Sequence, residues 1–105
     1  MDLHELETFL AVSEEKGFSR AAVRLRRTQP AISHAIRKLE DEVGEPLFER
    51  SSREGTLTSA GELLRVYAER LLRLRGVSAT ALAELRSRHR GQLTLVANEY
   101  TTLWI

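Results

Sequence analysis

Residues 28–44 read Thr-Gln-Pro-Ala-Ile-Ser-His-Ala-Ile-Arg-Lys-Leu-Glu-Asp-Glu-Val-Gly, and this stretch decides the fold. Thr28 or Gln29 caps the start of a helix, and Pro30 sits in its first turn, where a missing N–H costs nothing. Ile32, Ile36, Leu39 and Val43 then follow on one narrow stripe of a 3.6-residue period, and Gly44 ends the helix. The opposite face carries Pro30, Ser33, His34, Arg37 and Asp41, a polar set that begins at the helix N-terminus.

On the N-terminal side, Leu3, Leu6, Phe9, Leu10 and Val12 recur at helical spacing, so a first helix is expected to stop near Lys16-Gly17, with Gly17 in the left-handed region. Ser19 is the expected N-cap of a short second helix with Ala21, Ala22 and Leu25 inward, and Arg26-Arg27-Thr28 makes a tight connection. On the C-terminal side, Leu47-Phe48-Glu49-Arg50 and Thr56-Leu57 read as two short strands. The turn Ser51-Ser52-Arg53-Glu54-Gly55 joins them, its Gly taking positive φ.

Thr58 or Ser59 starts a long helix, and Ser59 with Glu62 has capping-box spacing. It is expected to run to about Arg88 with Leu64, Tyr67, Leu71, Leu74, Ala81, Leu82 and Leu85 apolar and Ser78 interrupting the series. Roughly 30 residues reach about 45 Å, more than a small head can cover, so the stripe calls for a second helix: Leu64, Tyr67, Leu71, Leu74, Leu82 and Leu85 are the expected dimerisation residues. Gly76 suggests a bend or a close contact. Arg86 to Gly91 reads as a polar hinge and Leu93 to Ala97 as a buried strand, the start of an absent or truncated second domain. The expected architecture is mainly α: a winged helix-turn-helix of three helices and a two-stranded β-hairpin (residues 1–58), a long dimerisation helix (59–88), and a hinge with one strand (89–105).

The 105 residues, 42% hydrophobic and 30% charged, suit one globular domain. With no cysteine, disulfides and thiolate metal sites are excluded, and His4, His34 and His89 lack metal-ligand spacing, so neither a metal nor a cofactor is expected. A signal-peptide start and a membrane-spanning apolar run are both missing, which points to a cytoplasmic protein. A net charge of +1 conceals strong patterning. Five acids and no Lys or Arg lie between Asp2 and Glu15, seven basic residues and no acid between Lys16 and Lys38, and five acids and no basic residue between Leu39 and Glu49. A block of one sign in a balanced chain suits a surface aimed at a polyanion.

Two helices joined by a short turn, the second with a polar N-terminal face, match how proteins read duplex DNA. The major groove admits one helix, and side chains near that helix's N-terminus meet base edges. Ser33 is short enough for close approach, Gln29 pairs with adenine, and His34 and Arg37 reach guanine acceptors or phosphates. Arg53 at the hairpin tip and Arg50 at its shoulder suit the adjacent minor groove. Two other classes compete with this one. An interaction module, whose winged helix docks a protein or whose long helix pairs with a full-length regulator and blocks it, is the first; an enzyme is the second, and no nucleophile–base pair, phosphate loop or metal set supports it.

Phe18-Ser19-Arg20-Ala21-Ala22 with Leu25, then Gln29-Pro30-Ala31-Ile32-Ser33 with Ile36, Leu39-Glu40, Gly44, Leu47-Phe48-Glu49-Arg50, Arg53 and Leu57-Thr58-Ser59-Ala60-Gly61 resemble the LysR-type transcriptional regulators, over roughly residues 3 to 90. The resemblance implies a winged helix-turn-helix, dimerisation through the linker helix, and a following effector-binding domain through which a small molecule would act. It also implies tetramers on imperfect inverted repeats of double-stranded DNA. Carried over by position, Gln29, Pro30, Ser33 and His34 face the bases, Arg50 and Arg53 belong to the wing, and Ser19, Arg20, Thr28 and Arg37 contact phosphates. His34 and Ala35 depart from the family, which often carries a long polar residue such as Arg at the first of these positions.

Overall fold

The first helix, α1 (Leu3–Glu15), starts in a capping box: the Asp2 carboxylate accepts from Glu5 N, and the Glu5 carboxylate from Asp2 N. Leu6, Phe9, Leu10, Ala11 and Val12 bury one face of it, while Thr8, also buried, donates its hydroxyl to His4 O. The computed structural model describes residues 1–51 and 54–95, with side chains as far as 90. The helix ends at Lys16, not Gly17: Lys16 adopts φ 55, and Gly17 is extended at φ 167. A single left-handed residue closes the last turn there, with the N–H groups of Lys16 and Gly17 both reaching Val12 O.

Helix α2 (Phe18–Leu25) follows at once, so Ser19 stands inside its first turn and Gly17 takes the cap position without a side-chain hydrogen bond. Ala21 and Ala22 are buried, their small size letting α2 pack against α1 and α3. Arg26, again left-handed at φ 56, turns the chain into α3 (Gln29–Val43). Thr28 is the cap of α3, its hydroxyl accepting from Ala31 N at 3.3 Å. Ile32, Ile36 and Leu39 are buried as expected, but Val43, on the same stripe at the end of the helix, is 40% exposed. Gly44 closes α3 at φ 81.

Of the expected hairpin, the described residues show an antiparallel pairing of Phe48 with Leu57, with Glu49 N donating to Thr56 O and Thr58 N to Leu47 O. Gly55 takes positive φ as expected. Phe48 packs its ring against Phe9 (5.4 Å between centroids) and Phe18 (5.5 Å), joining this segment to α1 and α2. Such tilted pairs add about 0.5–1.5 kcal/mol each beyond their burial.

The last helix, α4, runs Ser59–Leu95. Thr58, not Ser59, caps it, accepting from Gly61 N at 3.0 Å. Two compact units divide the chain after Leu72. In the first (1–72), the opening turns of α4 complete the head: Ala68 is fully buried, and Ala60, Leu64 and Leu72 pack on the same core. In the second, α4 continues through the expected hinge. Arg is a good helix former, no Pro intervenes, and one Gly costs only about 1 kcal/mol. Leu93 to Leu95 are therefore helical and not strand; the rest of the expected strand lies outside the described residues. Gly76 has open space around its Cβ position, so no close contact among the described residues explains it.

Candidate nucleic-acid interface

The N-cap at Thr28 fixes how α3 begins. With its hydroxyl bound to Ala31 N, the first turn carries Gln29 and Pro30 outward, and Ser33 and Arg37 follow on the same face at i+4 and i+8 from Gln29. Gln29 Nε2 donates to Ser33 Oγ at 3.2 Å, which aligns the two side chains. Gln29, Pro30, His34 and Arg37 are exposed and Ser33 is half-buried.

Two open hollows flank this face. One, of about 940 Å³, lies between α3 and the segment after it and includes Gln29, Pro30, Ser33, Arg37, Glu49 and Arg50 in its lining. The other, of about 810 Å³, includes Lys16, Ser19, Arg20, Gln29, Ser33 and Glu54. Gln29 and Ser33 border both, so they stand on the ridge between the hollows. The structure thus brings together most of the residues expected from sequence: Gln29 and Ser33 at the ridge, Ser19 and Arg20 on one side, Pro30, Arg37 and Arg50 on the other. His34 is exposed one residue further round the helix. Thr28 is exposed but spends its hydroxyl on the cap. Arg53 lies outside the described residues.

The basic block is not uniformly available. Arg24 pairs with Glu14 at 2.8 Å and Glu15 at 3.3 Å, and the Glu14 hydrogen bond raises its guanidinium pKa further. Arg27 donates to Thr8 Oγ1 at 3.4 Å. Lys16, Arg20, Arg26, Arg37 and Lys38 are exposed. Of the expected dimerisation residues, Leu64 packs into the head's own core, whereas Tyr67, Leu71, Leu74, Leu82 and Leu85 are exposed, joined by Leu63, Val66 and Val77.

Sequence reasoning does not find what holds the segment after α3. Leu47 is fully buried, yet its peptide is satisfied on both sides. Its N–H donates to Glu40 Oε2 at 2.6 Å, and the same oxygen faces Phe48 N at 3.4 Å. Its carbonyl accepts from Thr58 N at 3.0 Å, and the Thr58 hydroxyl donates to Pro46 O at 2.6 Å. Gly61 lies so close that a Cβ there would sit 2.1 Å from Leu47 O. By sequence Glu40 belongs to a solvated acidic face; an acid four residues before Gly44 is too common a pattern to signal more. An orphaned buried N–H costs about 1–3 kcal/mol, so Glu40 is needed where it stands.

Among the described residues no group of His, Asp and Glu could hold a metal ion, and no helix is long and apolar enough to cross a membrane. A family model, "Bacterial regulatory helix-turn-helix protein, lysR family", matches residues 3–62. The uncharacterized HTH-type transcriptional regulator YxjO of Bacillus subtilis is 36% identical over 105 residues, covering 100% of this chain and 36% of that protein. The probable RuBisCO transcriptional regulator of Gracilaria tenuistipitata var. liui is 39% identical over 103 residues, covering 98% of this chain and 33% of its own. The crystal structure of a BenM_DBD/benA site 1 DNA complex superposes with a TM-score of 0.80 at 37% identity, covering 83% of this chain and 98% of that one. The chain spans about a third of the length of the two regulators.

Proposed function

The chain belongs to the lysR family of bacterial regulatory helix-turn-helix proteins, and from that premise we propose that it binds double-stranded DNA sequence-specifically as the DNA-binding part of a transcription regulator. The observation that carries this reading is the α3 ridge of Gln29 and Ser33, with exposed Pro30 beside it and cationic side chains in both flanking hollows. A ridge with cations on both sides suits a groove floor with a phosphate strand on either side. Lys16 and Arg20 lie in one hollow and Arg37 and Arg50 in the other, where Glu40, Asp41, Glu45 and Glu49 also line the wall. The helix N-terminus adds its partial positive charge at the same place. BenM_DBD, similar in fold and sequence, was solved bound to DNA.

In this reading α3 enters the major groove, Gln29, Pro30, Ser33 and His34 face the bases, and Ser19, Arg20, Thr28 and Arg37 meet phosphates. Arg50 and Arg53 belong to a wing at the adjacent minor groove. Residues 1–58 carry DNA contact, and α4 pairs two copies through Tyr67, Leu71, Leu74, Leu82 and Leu85. Two copies of one reading head favour an inverted repeat. Action is in the cytoplasm. A small-molecule effector would act only through residues beyond this chain, as the greater length of the relatives suggests. The family is one of regulators, not of enzymes. Selection from a random duplex pool tests the proposal. Enrichment of an inverted repeat supports it; a folded, dimeric chain that enriches nothing overturns it in favour of a protein-interaction module.

A further inference from the structure

The Leu47 peptide joins the start of α4 to α3. Glu40, in the last turn of α3, holds its N–H; Thr58, the cap of α4, holds its carbonyl; Gly61, in the first turn of α4, packs against that carbonyl with no room for a side chain. Pro46, one residue earlier, is held by the Thr58 hydroxyl. Between Gly44 and Ser59 there is no helix among the described residues, so this segment is what connects the two helices along the chain. Glu40 also lines the hollow that contains Arg37 and Arg50.

We propose that Glu40, Thr58 and Gly61 form a clasp on the Leu47 backbone that sets how α3 is held relative to the first turns of α4, making Glu40 a positioning residue for DNA reading. The inference rests on the DNA-binding reading above. In a dimer made through α4, each reading helix is presented from its own α4 by way of this connection. A loose clasp leaves the number of phosphate-contacting cations unchanged but lets α3, which carries Arg37, shift relative to α4, so register on the bases suffers before overall charge does. Glu40→Gln keeps an oxygen acceptor without the charge; Glu40→Ala keeps none.

The test has a DNA-free arm and a DNA arm, both on the whole 105-residue chain. Without DNA, amide hydrogen exchange should show Leu47 and Phe48 opening at least about tenfold faster in Glu40→Ala, with the Phe9 amide of α1 unchanged. With DNA, the ratio of affinity for the enriched duplex over a scrambled one should fall about tenfold, the scale of a single base-reading side chain, at an unchanged salt slope. Glu40→Gln should recover most of both. Equal weakening on both duplexes, in step with the unfolded fraction, would mean a merely structural role and overturns the proposal. So does faster exchange with specificity intact, or exchange that does not change. A wild-type chain that enriches no duplex overturns the DNA reading itself, while the exchange arm still reports on the clasp.

Discussion

Replacing Gly61 by Ala pits two effects of known size against each other. Alanine is the better helix former by about 1 kcal/mol, so in open helix the change stabilises. At Gly61, however, the new Cβ would fall 2.1 Å from Leu47 O and 2.9 Å from Leu57 Cδ2. Carbon–oxygen contacts settle near about 3.3–3.6 Å, so α4 and the Leu47 backbone must part by about 1 Å or more. Leu47 O is backbone and cannot turn away as a side chain would. Overpacking of this kind costs about 1–3 kcal/mol. Weakening the bonds from Thr58 N to Leu47 O and from Gly61 N to Thr58 Oγ1 adds about 0.5–1.5 kcal/mol each. Net of the propensity gain, destabilisation centres on about 3 kcal/mol, a fall in Tm of roughly 12–24 °C for a domain of this size. Gly76→Ala, in the same helix with nothing near its Cβ position, is the control and should gain up to about 1 kcal/mol. Thermal unfolding followed by circular dichroism, at one protein concentration because association shifts Tm, decides it. A Gly61→Ala variant as stable as Gly76→Ala would refute the steric reasoning.

Arg37→Ala should lower the salt dependence of DNA binding by about 0.9 for each phosphate the side chain no longer neutralises, whereas Arg24→Ala should leave it unchanged because Glu14 and Glu15 already occupy Arg24; equal slopes for the two variants would contradict the assignment. The Glu5 N–H accepted by the Asp2 carboxylate depresses that group's pKa below its ordinary 3.8. Its stabilising contribution is therefore full above that value and is lost as pH falls through the lower folded-state pKa. Asp2→Asn keeps an N-cap but should flatten this part of the acid limb in urea midpoints measured against pH, and an unchanged limb would show that Asp2 contributes nothing there. Leu74, 64% exposed on α4, should be needed for the proposed pairing, so the wild type should sediment as a dimer and Leu74→Asp as a monomer; a dimeric variant would remove Leu74 from the interface.

The third helix is legible in sequence because its signals are local and mutually consistent: a Thr cap, an early Pro, a stripe of Ile and Leu, and a terminal Gly. The ridge is legible for the same reason, since Gln29 and Ser33 share a face by spacing alone. Helix ends are less so. Lys16 and Arg26 take left-handed conformations that residue type does not announce, and the Asp2–Glu5 box straddles Leu3, the first apolar residue of the α1 stripe. Residues 86–91, read from sequence as a hinge, are helical because polarity alone does not break a helix, and the Arg-rich stretch favours one. Leu64 shares the stripe with its neighbours, and only packing distinguishes a residue that closes the head from one left exposed. Glu40, Thr58 and Gly61 act on one peptide from positions up to 21 residues apart (61 minus 40), and no local pattern encodes that meeting.

The central claim is that the N-terminal face of α3 reads base identity, and the Ser33→Ala/His34→Ala variant tests it most directly. Its affinity for the duplex enriched by the wild type, and for a scrambled duplex, is measured across a salt titration. The account predicts that preference for the enriched duplex falls by about tenfold or more while scrambled-duplex affinity and salt slope stay as in the wild type. A variant that is folded and keeps the full preference would place sequence reading elsewhere on the molecule and contradict the account.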